Sequence, residues 1–401
     1  MFRALTLLSV LCSEQLLTPS PAAPVEQGVV AQWEGPLIDT VPDRGAVLYY
    51  QAAMKERAGD PNAALRLLKQ CLSFHEGFDP SGSLNFKSLL KDRSDWLVPL
   101  RRLHREFPST SHSRLAFITQ ERDLVPEGMA YNAALDIFYL SSLNRRKIIM
   151  LSADGTSSDF VPAGRDGLLP ILGIRMDPID GSVWANSWSE DEGRSELLHF
   201  EVSGRLLGRY AVTDAAKHGF NDLVVRKNGT VLLTDSLSNE VYQFDPGSGS
   251  FTAIKLHRLL NEPNGIALSE DDTQLFVADD FGIQLLDLRS NIAAEVPPGV
   301  HNTLAGVDGL YWHRGWLIGI QNAIGSPRIA AFLLSKDGTT IVRTTVLEYR
   351  STFLTGEPTT GAIKGNELYF IVNSQGENMN GDHVADPEKL EPVRVGVLRL
   401  P

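Results

Sequence analysis

The sequence predicts an all-β six-bladed β-propeller behind a small α-helical N-terminal region. Three observations carry that expectation. From residue 113 onward a unit of roughly 40–50 residues recurs six times, the period of a propeller blade with about four strands. Each unit opens on a short motif that leads into alternating, β-rich runs. In four of the six, that motif holds a polar side chain where a strand core should be apolar.

The six openings are Pro126-Glu127-Gly128-Met129-Ala130, Leu172-Gly173-Ile174-Arg175-Met176, Phe220-Asn221-Asp222-Leu223-Val224, Pro263-Asn264-Gly265-Ile266-Ala267, Val307-Asp308-Gly309-Leu310-Tyr311 and Thr360-Gly361-Ala362-Ile363. The β-rich runs behind them span 137–141, 182–186, 231–235, 274–278, 315–319 and 367–371. Further runs such as 147–151 and 240–244 supply a third strand. The segment 115–119 is expected to add the outer strand of the last blade and close the ring, because an open ring leaves sheet edges unpaired. The propeller is thus placed at 113–401.

The chain before it differs in kind. Arg3 is the only charge ahead of the apolar run 4–12, and small residues follow at Ser20-Pro21-Ala22-Ala23. This is the layout of a secretory signal peptide over 1–23, too short to span a bilayer, and it implies an exported protein. Residues 24–44 read as a linker. Residues 45–108 carry three helical runs, the second opened by the start signal Asp60-Pro61 and the third stopped by Pro108. The stretch 58–65 resembles the turn and second helix of a tetratricopeptide repeat. Too few repeats are present for a solenoid, so the helices are expected to cap the larger domain or to bind a protein partner.

Composition narrows the function. The 401 residues are 43% hydrophobic and 21% charged, with a formal net charge of −12. Nucleic acid and anionic membrane surfaces are disfavoured, since phosphate binding needs Lys and Arg. No stretch is expected to span a membrane. There are two cysteines, Cys12 and Cys71, so removal of a signal peptide leaves Cys71 alone and precludes a disulfide framework.

The chemistry is expected at the blade openings. Glu127, Asn221, Asn264 and Asp308 share one register of their units, and equivalent positions on different blades form a ring around the channel. Two carboxylates and two amides converging there need a partner. A hard divalent cation accepts such oxygens, calcium first, with magnesium and manganese as alternatives. The competing reading is that Asn-Gly and Asp-Gly are turn formers. The second and sixth units, with Leu172 and Thr360, break the ring.

Pro-Glu-Gly-Met-Ala, Phe-Asn-Asp-Leu-Val, Pro-Asn-Gly-Ile-Ala-Leu-Ser and Val-Asp-Gly-Leu-Tyr, in this order, resemble the family of gluconolactonases and regucalcin (senescence marker protein). They are more distantly similar to paraoxonases. The resemblance implies that Glu127, Asn264 and Asp308 ligate the metal, that Asn221 contacts substrate, and that Asp308 is also the general base. The likeness to paraoxonases implies that Asp222 joins the surroundings of the calcium site, which makes it a weaker candidate for substrate binding. The pattern departs at Gly219, where sugar-lactone-hydrolysing animal members carry an arginine; a hydroxyl-rich sugar would lose a donor there. The implied function is metal-dependent opening of a small cyclic ester. The alternative is a non-catalytic propeller whose structural metal supports protein or carbohydrate binding, and the scaffold also suits a lyase.

Other residues invite blander expectations. His218 reads as an exposed loop histidine rather than a proton shuttle. Trp184, Trp188, Tyr311, Trp312 and Trp316 read as core between blades. Asp279-Asp280 reads as a solvated acid pair. Asn228-Gly229-Thr230 fits a glycosylation acceptor but reads first as a hairpin turn.

Overall fold

The structure, a computed structural model, describes residues 41–91, 96–152, 155–354 and 356–401. The expected signal peptide, and the expected linker up to residue 40, lie outside the described residues.

Six antiparallel four-stranded meanders surround one axis. Blade 1 runs through Met129–Asn132, Ile137–Ser142, Lys147–Leu151 and Ser157–Val161. Blade 2 begins at Ile171–Met176, blade 3 at Phe220–Val225, blade 4 at Ile266–Leu268, blade 5 at Val307–His313 and blade 6 at Gly361–Lys364. All six expected openings therefore lead into innermost strands. Blade 6 is completed by Arg114–Ile118 pairing with Arg394–Arg399, so an N-terminal strand closes the ring. Thr110–Ser111 adds a short fifth strand to blade 5. Most of the expected aromatics do fill the space between or within blades: Trp184 is 1% exposed, and Trp316 and Trp188 are buried.

The X-Gly dipeptides at the openings are not turns. Gly128 and Gly265 have ordinary negative-side backbone angles, unlike the left-handed glycines elsewhere. A Cβ on Gly128 would stand 2.1 Å from the carbonyl oxygen of Leu172 in the next blade. A Cβ on Gly265 would stand 2.3 Å from that of Asp308. Glycine is required because neighbouring inner strands touch backbone to backbone. By contrast, Asn228-Gly229-Thr230 is the expected turn: Gly229 has φ 87°, and Thr230 N donates to Asn228 Oδ1 at 3.0 Å.

Among the described residues four α-helices precede the blades: α1 (Arg44–Arg57), α2 (Pro61–Ser73), α3 (Lys87–Lys91) and α4 (Leu97–Glu106). Asp43 caps α1 by accepting from Ala46 N at 2.9 Å, and Asp60 caps α2 by accepting from Ala63 N at 2.9 Å, with Pro61 in the first turn. The third expected run is split between α3 and α4.

The helices form a cap on the propeller. Tyr49, Phe78, Phe86 and Trp96 build one apolar cluster with Phe281, Ala305 and Ile324 of the blades. Phe281 and Ile324 lie in the connections between second and third strands of blades 4 and 5, and Ala305 lies in the loop entering blade 5. In an antiparallel meander these connections share one face with the starts of the inner strands, so the cap sits on the face that carries the blade openings. Polar pins accompany the apolar contact. Thr303 Oγ1 donates to Asp43 Oδ2 at 2.5 Å, and Asp79, fully buried, meets Ser326 Oγ at 2.9 Å and Arg350 Nε at 3.3 Å. Asp79→Ala would leave these donors unmatched inside the interface. It is expected to cost about 3 kcal/mol, read from the urea midpoint.

On the opposite side of the same face, the hairpin Met379–Asn380/His383–Val384 reaches over blades 1 and 2. There Asp382 accepts from Arg146 at 2.9 Å and from Ser189 Oγ at 2.5 Å. Cys71 is buried and free. No helix among the described residues is long and apolar enough to cross a membrane.

Candidate active site

The ring of openings becomes a site because the inner strands are bulged where the polar residues stand. Pairing with the second strand slips between Phe220 and Leu223 in blade 3, and between Val307 and Leu310 in blade 5. A bulge releases side chains from the ladder and re-aims them. Asn221 and Asp308 occupy these bulges. Glu127 and Asn264 precede their strands by two residues. All four are buried, with exposures of 2–8%.

Asp308 and Asn221 are held through their side chains, and Glu127 and Asn264 through their backbone carbonyls. Asn322 Nδ2 donates to Asp308 Oδ2 at 2.6 Å and to Pro358 O at 3.1 Å, fixing one carboxylate oxygen. The other, Asp308 Oδ1, is buried without a hydrogen bond, and so is Glu127 Oε2. Asn221 Nδ2 donates to Ser236 Oγ at 2.9 Å, while Ser236 Oγ donates to Pro263 O at 2.7 Å. The single hydroxyl proton is committed to the carbonyl, so Ser236 must accept from Asn221 and the amide orientation is set. Thr234 Oγ1, on the second strand of blade 3, donates to Asn264 O at 2.7 Å, and Thr360 Oγ1 donates to Glu127 O at 2.5 Å, tying each of these openings to the preceding blade.

The electrostatics show that the carboxylates sense one another. Burial pushes Asp308 up to about 7, the Asn322 hydrogen bond opposes this, and the charge of Asp222 adds to it. Burial, then Asp308 and Glu357, hold Glu127 well above the usual carboxylate range. Two unpaired buried carboxylate oxygens beside buried amides fit a hard divalent cation, which takes carboxylate and amide oxygens. Among the described residues no group of three or more His, Cys, Asp or Glu side chains is arranged to hold a metal. The candidate set of Glu127, Asn264 and Asp308 is mixed by nature, two carboxylates and an amide.

Asp222 sits beside the ring but is committed elsewhere. Its Oδ2 accepts from Arg175 at 2.7 Å and its Oδ1 from Leu223 N at 2.8 Å. Sequence reasoning missed three residues. Glu357, in the loop entering blade 6, is half-buried and pushed up to about 8 by burial, by Glu377 and by Asp308. Asn322 and Arg175 were also missed. None of the three belongs to the polar register of the openings, so the repeat carries no signal for them.

His218 differs from its expectation. It is 8% exposed, with Nδ1 at 2.6 Å from Asp235 and Nε2 at 2.9 Å from Asp214. Two carboxylates bracket the ring and draw it inward. They push it up to about 9, the Asp235 hydrogen bond being the largest cause. With both nitrogens engaged it is a structural imidazolium. Its folded pKa lies above the unfolded value, so its stabilisation is complete below about pH 6.5 and is lost as pH rises through about 9. Thermal melts across pH 6–10 should lose about 2 kcal/mol on this account, and His218→Asn should flatten that alkaline limb. Asp279-Asp280 is likewise not solvated. Asp279 is 2% exposed and accepts two bonds from Arg258, at 2.5 and 2.8 Å, while Asp280 accepts from Asn261 Nδ2 at 2.7 Å.

No protein-family model matches the sequence, and no curated protein does. Solved structures do share its shape. The PQQ-bound aldose sugar dehydrogenase of Streptomyces coelicolor aligns over 72% of this chain and 98% of its own at 14% identity, with a TM-score of 0.51. A streptogramin B lyase aligns over 72% and 98% at 13% identity, with a TM-score of 0.50. A gluconolactonase of Xanthomonas campestris aligns over 73% and 99% at 17% identity, with a TM-score of 0.48. At such identities the first two likenesses speak to the fold alone and leave the chemistry to the residues of this chain.

Proposed function

We propose that this protein is a divalent-metal-dependent hydrolase of the lactonase type, opening a small cyclic ester at the channel mouth. The observation that carries the reading is the pair of buried, unpartnered oxygens, Glu127 Oε2 of blade 1 and Asp308 Oδ1 of blade 5. Glu127, Asn264 and Asp308 would hold the cation, calcium by preference. When bound, such an ion polarises an ester carbonyl and favours negative charge on its oxygen.

The chain's own residues supply the rest. Asp308, with one oxygen fixed by Asn322, takes a proton from the attacking water. Asn221, its amide fixed by Ser236, orients the substrate. Glu357, half-buried in the loop entering blade 6, is a second carboxyl placed to exchange that proton with solvent. Gly219 leaves no side chain beside Asn221 for sugar hydroxyls, which favours aliphatic or aromatic lactones.

The test is hydrolysis of aliphatic, aromatic and sugar lactones by the purified protein, with calcium, with manganese and with EDTA. Metal-dependent turnover that disappears in Asp308→Ala establishes the reading. Metal binding without turnover of any lactone removes the lactonase reading and leaves a binding propeller.

A further inference from the structure

Five of the six blade openings place glycine after the ring position: Gly128, Gly173, Gly265, Gly309 and Gly361. Blade 3 alone departs, with Asp222. The preceding blade carries the matching departure. Arg175, on the inner strand of blade 2, reaches across to Asp222 at 2.7 Å. The same guanidinium donates to Ile174 O at 2.9 Å and lies 5.5 Å from the centre of the Tyr311 ring of blade 5. Tyr311 is fixed in turn by Gly361 N of blade 6, which donates to its hydroxyl at 2.5 Å. One arginine thus ties blades 2, 3, 5 and 6 together across the channel. Below it opens a cavity of about 350 Å³ lined by inner-strand residues, among them Met129, Val224, Ile266 and Ile363. Arg175 and Tyr311 line that cavity, whereas Glu127, Asn264 and Asp308 do not.

Asp222 is 1% exposed and its charge reaches both Glu127 and Asp308. A third buried carboxylate beside this pair would join the cation's surroundings unless something neutralised it and turned it away. We propose that Arg175 is a positioning residue that does both. It cancels the charge of Asp222 and holds that carboxylate out of the coordination shell, so that the cation meets two carboxylates and keeps a side open to substrate. This inference rests on the metal site proposed above.

The experiment is calorimetric titration of calcium into the full protein and its Arg175→Met, Arg175→Lys, Asp222→Asn and Arg175→Met/Asp222→Asn variants. Arg175→Met releases Asp222 to the ion and should bind calcium about tenfold more tightly, as an added ligand charge does, while lactone turnover falls. Asp222→Asn leaves the guanidinium unpaired and should bind calcium more weakly. The double variant should return towards wild-type affinity, and Arg175→Lys should hold it there. Asp222→Asn and Arg175→Lys preserve shape, so the comparison stands even if Arg175→Met folds poorly. Calcium binding by the wild type with no coupling between the two positions would overturn this inference alone. A wild-type protein that binds neither calcium nor manganese would overturn the site as well.

Discussion

Asp308→Asn should abolish calcium binding and lower kcat/KM by about a thousandfold or more, a loss on the scale of removing a residue that acts as a unit with its neighbours. The argument starts from two oxygens with different tasks. Oδ2 accepts from Asn322, and Oδ1 is buried and unpartnered. An amide there keeps the shape but halves the formal charge of the ligand set, leaving Glu127 as its only carboxylate. It also removes the proton acceptor. Stability should move the other way. Placing a charge in this buried position costs solvation energy, so in EDTA the amide variant should melt higher than the wild type. With calcium the order should reverse, because only the wild type gains the linkage stabilisation of a bound ligand. Paired melts with calcium and with EDTA read both effects in one experiment. A variant that melts lower under both conditions would mean that Asp308 is a structural residue.

Gly265→Ala should be among the most damaging single-methyl substitutions in the protein. The new Cβ would lie 2.3 Å from Asp308 O and 2.8 Å from Leu310 N, both backbone atoms that cannot swing aside. Two inner strands would have to separate, at a cost of about 3 kcal/mol or more. Because Asn264 and Asp308 flank this contact, calcium affinity should fall together with the melting temperature. A glycine kept only for a turn would behave differently. Gly249, with φ 67° and nothing near its absent Cβ, is a fair control. There alanine meets left-handed backbone strain of about 1 kcal/mol without any effect on calcium binding.

The openings were readable in the sequence because a propeller repeats them. Six copies of one register expose an exception in any copy, and polar residues in four of six stand out against apolar strand starts. The repeat alone does not rule out the competing turn reading of these glycines. Asn-Gly and Asp-Gly also occur as turns, and only the distance from Gly265 to Asp308 O distinguishes a turn from a strand-to-strand contact. Ring closure by Arg114–Ile118 was legible too, since an unpaired edge on blade 6 has no stable alternative.

What lay outside the repeat was silent. Glu357 and Asn322 sit in connections whose lengths differ from blade to blade. Arg175 follows the apolar opening of blade 2, so only its proximity to Asp222 gives it meaning. His218 looked exposed because Asp235, which buries it, is 17 residues away and arrives through the second strand of the same blade. The cap was legible as helices, but its seat on blades 4 and 5 depends on Phe281, Ala305 and Ile324, single apolar residues in connections outside the strand repeat.

The most direct measurement is a crystal of the protein soaked in manganese and recorded at a wavelength where that ion scatters anomalously. The account predicts one strong peak within coordinating distance of Glu127 Oε2, Asp308 Oδ1 and the side-chain oxygen of Asn264, with Asp222 still turned to Arg175. A manganese-loaded crystal whose peaks lie only elsewhere, or none at all with these carboxylates unchanged, would contradict it.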